Sequence, residues 1–331
     1  MTIDNERTVE VGIVTYPGAQ LSAVLGMTDL FTASNRFMAP DERQPSILIR
    51  VSHWKLDEGS KIPVRTFDTM PSTRGRPDVL ILPPTLEGPA SPEIAAPFVE
   101  WLREHHASGT VLASVCAGAF LLGETGLLDG RSATTHWMHE DLFRARFPKV
   151  WVDVDRLLID GGEILCAGGL MAWTDLCLKL LDRFRGAEVM AQTAKFLLVD
   201  PPGREQRYYS FFSPRLAHGD AAVLKVQRWL QATEAKDISL EALAAEAGLE
   251  RRTFLRRFRK ATGMTTSEYG QRLRVSKACE LLQFSGLSVE QIAWQAGYTD
   301  PGAFRKVFAR VVGLTPSEYR QRFNTFEARD G

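Results

Sequence analysis

Long apolar runs, paired metal-ligand spacings, a leader-like N-terminus and a net charge are all missing from this 331-residue chain. No apolar stretch approaches the ~20 residues that cross a bilayer, so no membrane span is expected. The opening MTIDNERTVEVGIV lacks a basic patch followed by an apolar segment. That predicts no secretory signal, and the protein is placed in the cytoplasm. Four cysteines, Cys116, Cys166, Cys177 and Cys279, are too few for a disulfide scaffold in so long a chain, and their thiols are expected to be reduced. Neither they nor the six histidines show C-x2-C or H-x3-H spacing, so no metal and no cofactor is expected.

The neutral total hides an asymmetry. From Val223 onward there are 18 Lys and Arg against 12 Asp and Glu, a surplus of six positive charges, and the remainder carries the opposite surplus. A basic C-terminal part on an acidic body points to a polyanionic partner for that part alone.

That part contains a repeat. In Ser288–Tyr319, Ser288 and Gln291 have capping-box spacing, Ile292, Ala293 and Ala296 make an apolar side, and Gly297 supplies a left-handed stop. Asp300-Pro301 opens a second helix, with Phe304, Val307 and Phe308 on one face and Lys306 and Arg310 on another. Upstream, Ala244, Ala247 and Gly248 precede Ala293, Ala296 and Gly297 by 49 residues. Phe254, Phe258, Gly263, Glu268 and Tyr269 precede Phe304, Phe308, Gly313, Glu318 and Tyr319 by 50, one extra residue falling near Thr299. Two short helices around a glycine turn, the second one basic, read as a helix-turn-helix, and here it occurs twice.

On these residues the chain resembles the AraC/XylS family, over roughly 222–325. The resemblance implies a DNA-binding domain, 222–331, with helix-turn-helix units at 240–263 and 288–313, and it suggests an activator. Thr265/Glu268 and Thr315/Glu318 form further capping boxes. The first opens a long helix, about Thr266–Gln283, that would hold the two units one DNA turn (~34 Å) apart. On the first recognition helix, about Arg251–Ala261, the phenylalanines face inward and Arg252, Arg256 and Arg259 outward. Arg252 and Arg256 are the expected guanine contacts, with Leu255 beside them for a thymine methyl. The repeat offset makes Gly302, Arg305 and Lys306 their counterparts. Arg251, Arg257 and Arg310 are expected to neutralise phosphates. Glu250, at the mouth of the first helix, would repel one.

The N-terminal part alternates strands and helices: strands at Val9–Tyr16, Ile47–Trp54, Val79–Leu82 and Val111–Ser114, with helices at about Ala23–Phe37, Pro92–His106 and Ala117–Thr125. A strand pair, Arg156–Ile159 and Glu163–Cys166, and helices at Met171–Phe184 and Ala187–Leu198 follow. This pattern predicts an α/β fold with a parallel sheet, followed by an all-α C-terminal domain. Ser114-Val-Cys-Ala-Gly118 places Cys116 between strand and helix, the position of a nucleophile elbow, and His136 follows twenty residues on. With Gly118–Trp137, GAFLLGETGLLDGRSATTHW, the region from about Val9 to Pro202 resembles the PfpI-like, class I amidotransferase-like domains fused to AraC-type regulators. The resemblance implies a flavodoxin-like sandwich.

Two positions depart from the enzymes of that superfamily. Where they commonly place an acid near the start of the first helix, this chain has Ala23. Where they often have Gly-Gly, it has Pro84-Thr85, and Pro84 has no N–H for an oxyanion hole. Three readings of Cys116 stand at this point: a small side chain kept in a tight turn, the wall of a ligand pocket, or a redox-sensing thiolate. The expected division is 1–203 sensor and dimerisation domain, 204–221 linker, and 222–331 DNA-binding domain. Residues 207–212, RYYSFF, are expected to form a short arm packed on the sheet or on a partner. The expected whole is a cytoplasmic, homodimeric regulator of double-stranded DNA with no catalytic residues. An unknown small-molecule effector would sit near Cys116, Ala117, His136, Thr85 and Ala23. The alternatives are a cysteine-dependent amidase or hydratase and a regulator that senses oxidation through Cys116.

Overall fold

The structure, a computed structural model, describes residues 7–37, 47–57, 59–60, 62–71, 75–210, 212–216 and 218–325. The first six residues of the expected sensor domain, Phe211 and Ala217 of the expected linker, and 326–331 of the expected DNA-binding domain lie outside the described residues. The chain forms two compact units, Met1–Gln206 and Arg207–Gly331.

In chain order the first unit contains β1 (Arg7–Thr15), α1 (Leu21–Ser34), β2 (Ile47–Leu56), β3 (Pro63–Asp68), β4 (Val79–Leu82), α2 (Pro92–Ala107), β5 (Val111–Val115) and α3 (Gly118–Glu124). Then come β6 (Ser132–Ala133), α4 (Glu140–Arg146), β7 (Trp151–Val152), β8 (Leu158–Asp160), β9 (Ile164–Ala167), α5 (Trp173–Arg185) and α6 (Ala187–Leu197). Seven strands form one sheet in the order β3-β2-β1-β4-β5-β9-β8. The five inner strands are parallel and the two edges antiparallel, while β6 and β7 pair separately.

The inner strands are mostly apolar because helices cover both faces, with Glu10, Arg50, Ser52 and Ser114 buried among them. On one face Val11, Ile13, Ile81 and Leu165 meet Met27 and Phe31 of α1 and Leu176 and Leu180 of α5. On the other Val14, Leu80 and Leu112 meet Phe98 and Leu102 of α2 and Phe120 and Leu121 of α3.

The edge strand β3 is attached by charge. Arg50 is 1% exposed, binds Glu10 at 3.0 Å and makes a two-pronged contact with Asp68. Arg65 of β3 also reaches Glu10, at 2.7 Å, and Ser52 donates to the same carboxylate at 2.6 Å. The Arg50 hydrogen bond holds the Asp68 carboxyl below its usual range. A buried cation survives here because carboxylates satisfy its planar fork.

The second unit is helical: α7 (Ala221–Ala232), α8 (Leu240–Ala247), α9 (Arg251–Thr262), α10 (Thr266–Phe284), α11 (Val289–Gln295), α12 (Pro301–Val312) and α13 (Pro316–Phe323). Reciprocal capping boxes open α10, α11 and α13 at Thr265/Glu268, Ser288/Gln291 and Thr315/Glu318, and Asp300 caps α12 ahead of Pro301. The unit has two apolar cores. Val223, Val226, Leu243, Phe254, Phe258 and Tyr269 build the first; Val275, Leu282, Ile292, Phe304, Phe308 and Tyr319 build the second. The arm expected against the sheet or a partner packs on these helices. Phe212 meets Tyr269 edge-on, and Arg322 lies over the Tyr208 and Tyr209 rings.

The tightest backbone approach in the first unit is at Gly118, where a Cβ would lie 2.3 Å from the Leu82 carbonyl oxygen and 2.8 Å from that of Pro83. Neither oxygen can rotate away, so β4 and α3 must separate to admit one methyl. Gly118→Ala is therefore expected to destabilise the first unit by about 1–3 kcal/mol, read as a lowered urea midpoint. An unchanged midpoint would mean that α3 shifts freely along the sheet.

Candidate functional site

The structure places two groups of candidate residues, one in each unit. In the helical unit, burying Phe254 and Phe258 fixes the rotation of α9, because residues four apart share a helix face. The opposite face carries Arg252, Leu255, Arg256 and Arg259, all exposed. The second core treats α12 alike: Phe304 and Phe308 are buried, and Gly302, Arg305, Lys306 and Arg310 are exposed. All eight predicted contact residues thus lie on the outward faces of two equivalent helices.

Their charge environments differ. Among the described residues, Arg252, Arg256 and Lys306 have no ion-pair partner. Arg305 is paired with Glu290 of α11, Arg310 donates to Gln271 of α10 at 2.6 Å, and Arg251 pairs with Glu241 of α8 at 2.9 Å. Arg257, expected at a phosphate, is instead half-buried and bound two-pronged to Asp220, at 2.8 and 2.7 Å. Asp220 also caps α7 through the Val223 N–H. The Arg257 hydrogen bond pulls the Asp220 carboxyl down to about 2, so the pair stays ionised across the physiological range.

In the first unit the candidates gather at the C-terminal ends of β1, β4 and β5, where the strand order reverses and open α/β sheets characteristically bind ligands. Cys116 has φ +54°, a left-handed conformation that a non-glycine residue adopts only under constraint. Its N–H donates to Ala167 O at 2.7 Å, and its carbonyl accepts from Thr135 Oγ1 at 2.8 Å. The backbone N–H groups of Ala117 and His136 face the sulfur. Burial nevertheless prevails over these donors and pushes the thiol up to about 11, the reverse of an activated nucleophile.

The other candidates share this dry setting. Ala23 and Ala117 belong to the same apolar cluster as Cys116. Thr85 is buried, donates to Gly88 O and forms a bridge with Ala19. The His136 imidazole is half-buried, and its Nδ1 accepts from the Met138 N–H at 3.2 Å. Burial, with His139 adding to it, lowers its pKa. The backbone of His136, rather than its ring, addresses the sulfur.

Three contributors escaped the sequence reading. Tyr16 donates to Pro83 O and lies near enough to Cys116 for the two to raise its pKa beyond the effect of burial. Thr135 clamps the elbow from the neighbouring loop. Gln206 fixes that loop: it accepts from the Trp137 N–H at 2.9 Å and donates to Thr135 O at 2.9 Å and Val154 O at 2.8 Å. Only the Tyr16-Pro17-Gly18 strand end carried a local signal.

Comparison with known proteins matches both units. The model described as a helix-turn-helix domain matches residues 243–322, and that of the DJ-1/PfpI family matches residues 56–183. The HTH-type transcriptional regulator CdhR of Pseudomonas aeruginosa is 30% identical over 224 residues, 67% of this chain and 66% of that protein. The HTH-type transcriptional regulator GlxA of Rhizobium meliloti is 29% identical over 224 residues, 67% of this chain and 68% of that protein. The matches therefore span about two thirds of the length of these relatives. Among solved structures, a putative transcriptional regulator protein from Vibrio parahaemolyticus covers 58% of this chain and 100% of its own, at 18% identity and a TM-score of 0.45. With one module in each unit and full regulators as relatives, this chain belongs to the AraC-type helix-turn-helix transcriptional regulators that carry a DJ-1/PfpI domain.

Proposed function

We propose that the protein is a cytoplasmic, homodimeric transcription regulator, an activator, that binds duplex DNA through both helix-turn-helix units and responds to a small effector held by its first unit. The observation carrying this reading is the doubled outward face of α9 and α12. Arg252, Arg256 and Lys306 stand there without an internal partner among the described residues, ready for base edges or phosphates. The effector would meet the strand ends around Cys116, Ala117, His136, Thr85 and Ala23. Gln20 borders this region through its N–H to Pro84 O, 2.7 Å. Its nearly buried Oε1 has no donor in the described structure, which suits an effector that carries one.

In this reading the first unit is not a catalyst. A neutral thiol beside Ala23, with Pro84 where an N–H donor would stand, has neither a base nor an activated sulfur. Dimerisation is assigned to α1, whose Leu21 and Leu25, one turn apart, remain exposed.

Arg256→Ala is expected to weaken binding to a duplex selected from a random pool by about 1–3 kcal/mol, with little effect on non-specific duplex. A salt titration of both proteins checks this, and equal losses on both duplexes would make Arg256 a phosphate contact only. Leu25→Glu is expected to convert a dimer to a monomer in sedimentation velocity; an unchanged species would move the interface elsewhere. With the thiol near 11 rather than at its ordinary 9.0, the thiolate fraction at neutral pH falls about 100-fold. Site-resolved alkylation of native Cys116 should then be slower at pH 7 than that of free cysteine and rise steadily towards pH 11. Rapid alkylation at pH 7 would favour the oxidation-sensing alternative.

A further inference from the structure

We infer that Arg274 sets the rotational register between the two helix-turn-helix units, and so determines the spacing of the two DNA elements the protein accepts. The inference rests on both units entering DNA.

The need for such a residue follows from the cores. The two units share α10 but no apolar core: Tyr269 and Leu273 belong to the first, Val275 and Ala278 to the second. A helix alone fixes axial separation, because its rise per residue is constant. Its constant twist fixes the azimuth of its own positions too, but each bundle can still roll on its face of α10, and that roll depends on contacts made across the seam.

Arg274 occupies the seam, between Leu273 and Val275, and reaches both ways. Towards the first bundle, its Nε and Nη2 donate to Ala235 O at 2.9 and 2.7 Å, and Nη2 donates to Lys236 O at 3.1 Å. These carbonyls belong to the turn after α7, where Glu234 and Ala235 are both left-handed, at φ +52°. Towards the second bundle, the guanidinium lies 5.6 Å from the centroid of the Tyr298 ring. Tyr298 packs on Phe304 of α12 at a centroid distance of 5.4 Å. Gly297, in the turn between α11 and α12, has φ +81°, and a Cβ there would lie 3.3 Å from Arg274 Nε. The glycine thus serves both the left-handed turn and the passage of this side chain.

The chemistry is specific to arginine. A planar fork can bind adjacent carbonyls along its edge while its face lies on an aromatic ring, and a lysine ammonium can do only one of these well. Consecutive base pairs differ by about 34–36° about the DNA axis. Inserting one base pair between two elements therefore demands a comparable rotation of one bundle against the other, besides about 3.4 Å of added separation, and it is the rotation that the Arg274 contacts oppose.

The test uses the full-length protein and a two-element duplex selected by it from a random pool, together with variants carrying one base pair more or fewer between the elements. Wild type should lose about tenfold or more on either altered spacer, the range of a mismatched site. Arg274→Met should bind the selected duplex more weakly, yet discriminate among the spacers by no more than about threefold, with its far-ultraviolet circular dichroism unchanged. Arg274→Lys should fall between the two. If Arg274→Met does not fold, Tyr298→Leu, which removes only the ring on the second side, should relax spacer discrimination in the same direction. A folded Arg274→Met or Tyr298→Leu with wild-type spacer preference would overturn the inference. So would equal losses on all spacers and on a single-element duplex, which would reduce Arg274 to a general contributor of charge or stability. Selection of single-element duplexes alone by wild type would instead overturn the underlying reading of two units on DNA.

Discussion

The helical unit depends on one repeated packing arrangement, two phenylalanines one turn apart closing on a tyrosine from the following helix. Phe254 and Phe258 have ring centroids 5.5 Å apart, and Phe258 meets Tyr269 edge-on at 5.3 Å. Phe304, Phe308 and Tyr319 repeat this at 5.6 and 5.6 Å. Each buried phenylalanine contributes about 1.5–3 kcal/mol. That is enough to hold α9 in one rotation although Arg251, Arg252, Arg256, Arg257, Arg259 and Lys260 crowd cations along it. Without the aromatic anchors, a helix so charged would have little reason to present one fixed face.

In the first unit the organising constraint is the strained elbow. A left-handed Cys116 persists because Ala167, Thr135 and the close approach of Gly118 to β4 determine its backbone from three directions. In hydrolases such geometry exposes a nucleophile. Here the same turn holds a buried thiol whose pKa burial raises, set within an apolar cluster. The fold of such a turn does not by itself fix the chemistry at its tip, since burial of the sulfur opposes the thiolate there.

The helical unit was highly legible in the sequence because its signals are local. Capping boxes, proline at a first helical position, glycine stops and the phenylalanine spacing all act within a few residues, and the repeat printed them twice. The five parallel strands were legible for a related reason: burial on both faces makes β4 and β9 continuous apolar runs, and β1 and β2 stay rich in β-branched residues around the buried Glu10, Arg50 and Ser52. Less visible were β3, β6, β7 and α4, which are short or half-exposed and carry no clean period. Candidate-site details failed where they depend on distant partners. Nothing near Arg257 announces that Asp220, 37 residues away, will claim it. Nothing near Gln206 announces a hydrogen-bonding slot built from the 135–154 region. The outward arginines of α9 could be placed because a helix face needs no distant information. The pocket assignments around Cys116 rested on resemblance, and the structure adds burial and backbone contacts to them.

The internal partners of the outward cations bear on how such a surface discriminates. DNA must displace the Glu290 carboxylate to engage Arg305, and the Gln271 amide to engage Arg310. A phosphate reached by chance offers a flexible, solvated charge, which competes poorly with a carboxylate already in place. A guanine edge offers two acceptors in the geometry of the guanidinium fork, and that is the ligand most able to replace the carboxylate. Arg252, Arg256 and Lys306 have no such competitor, so discrimination by them rests on the match between their donors and a base edge alone. A paired cation adds a further penalty, because every wrong partner must replace the contact it gives up.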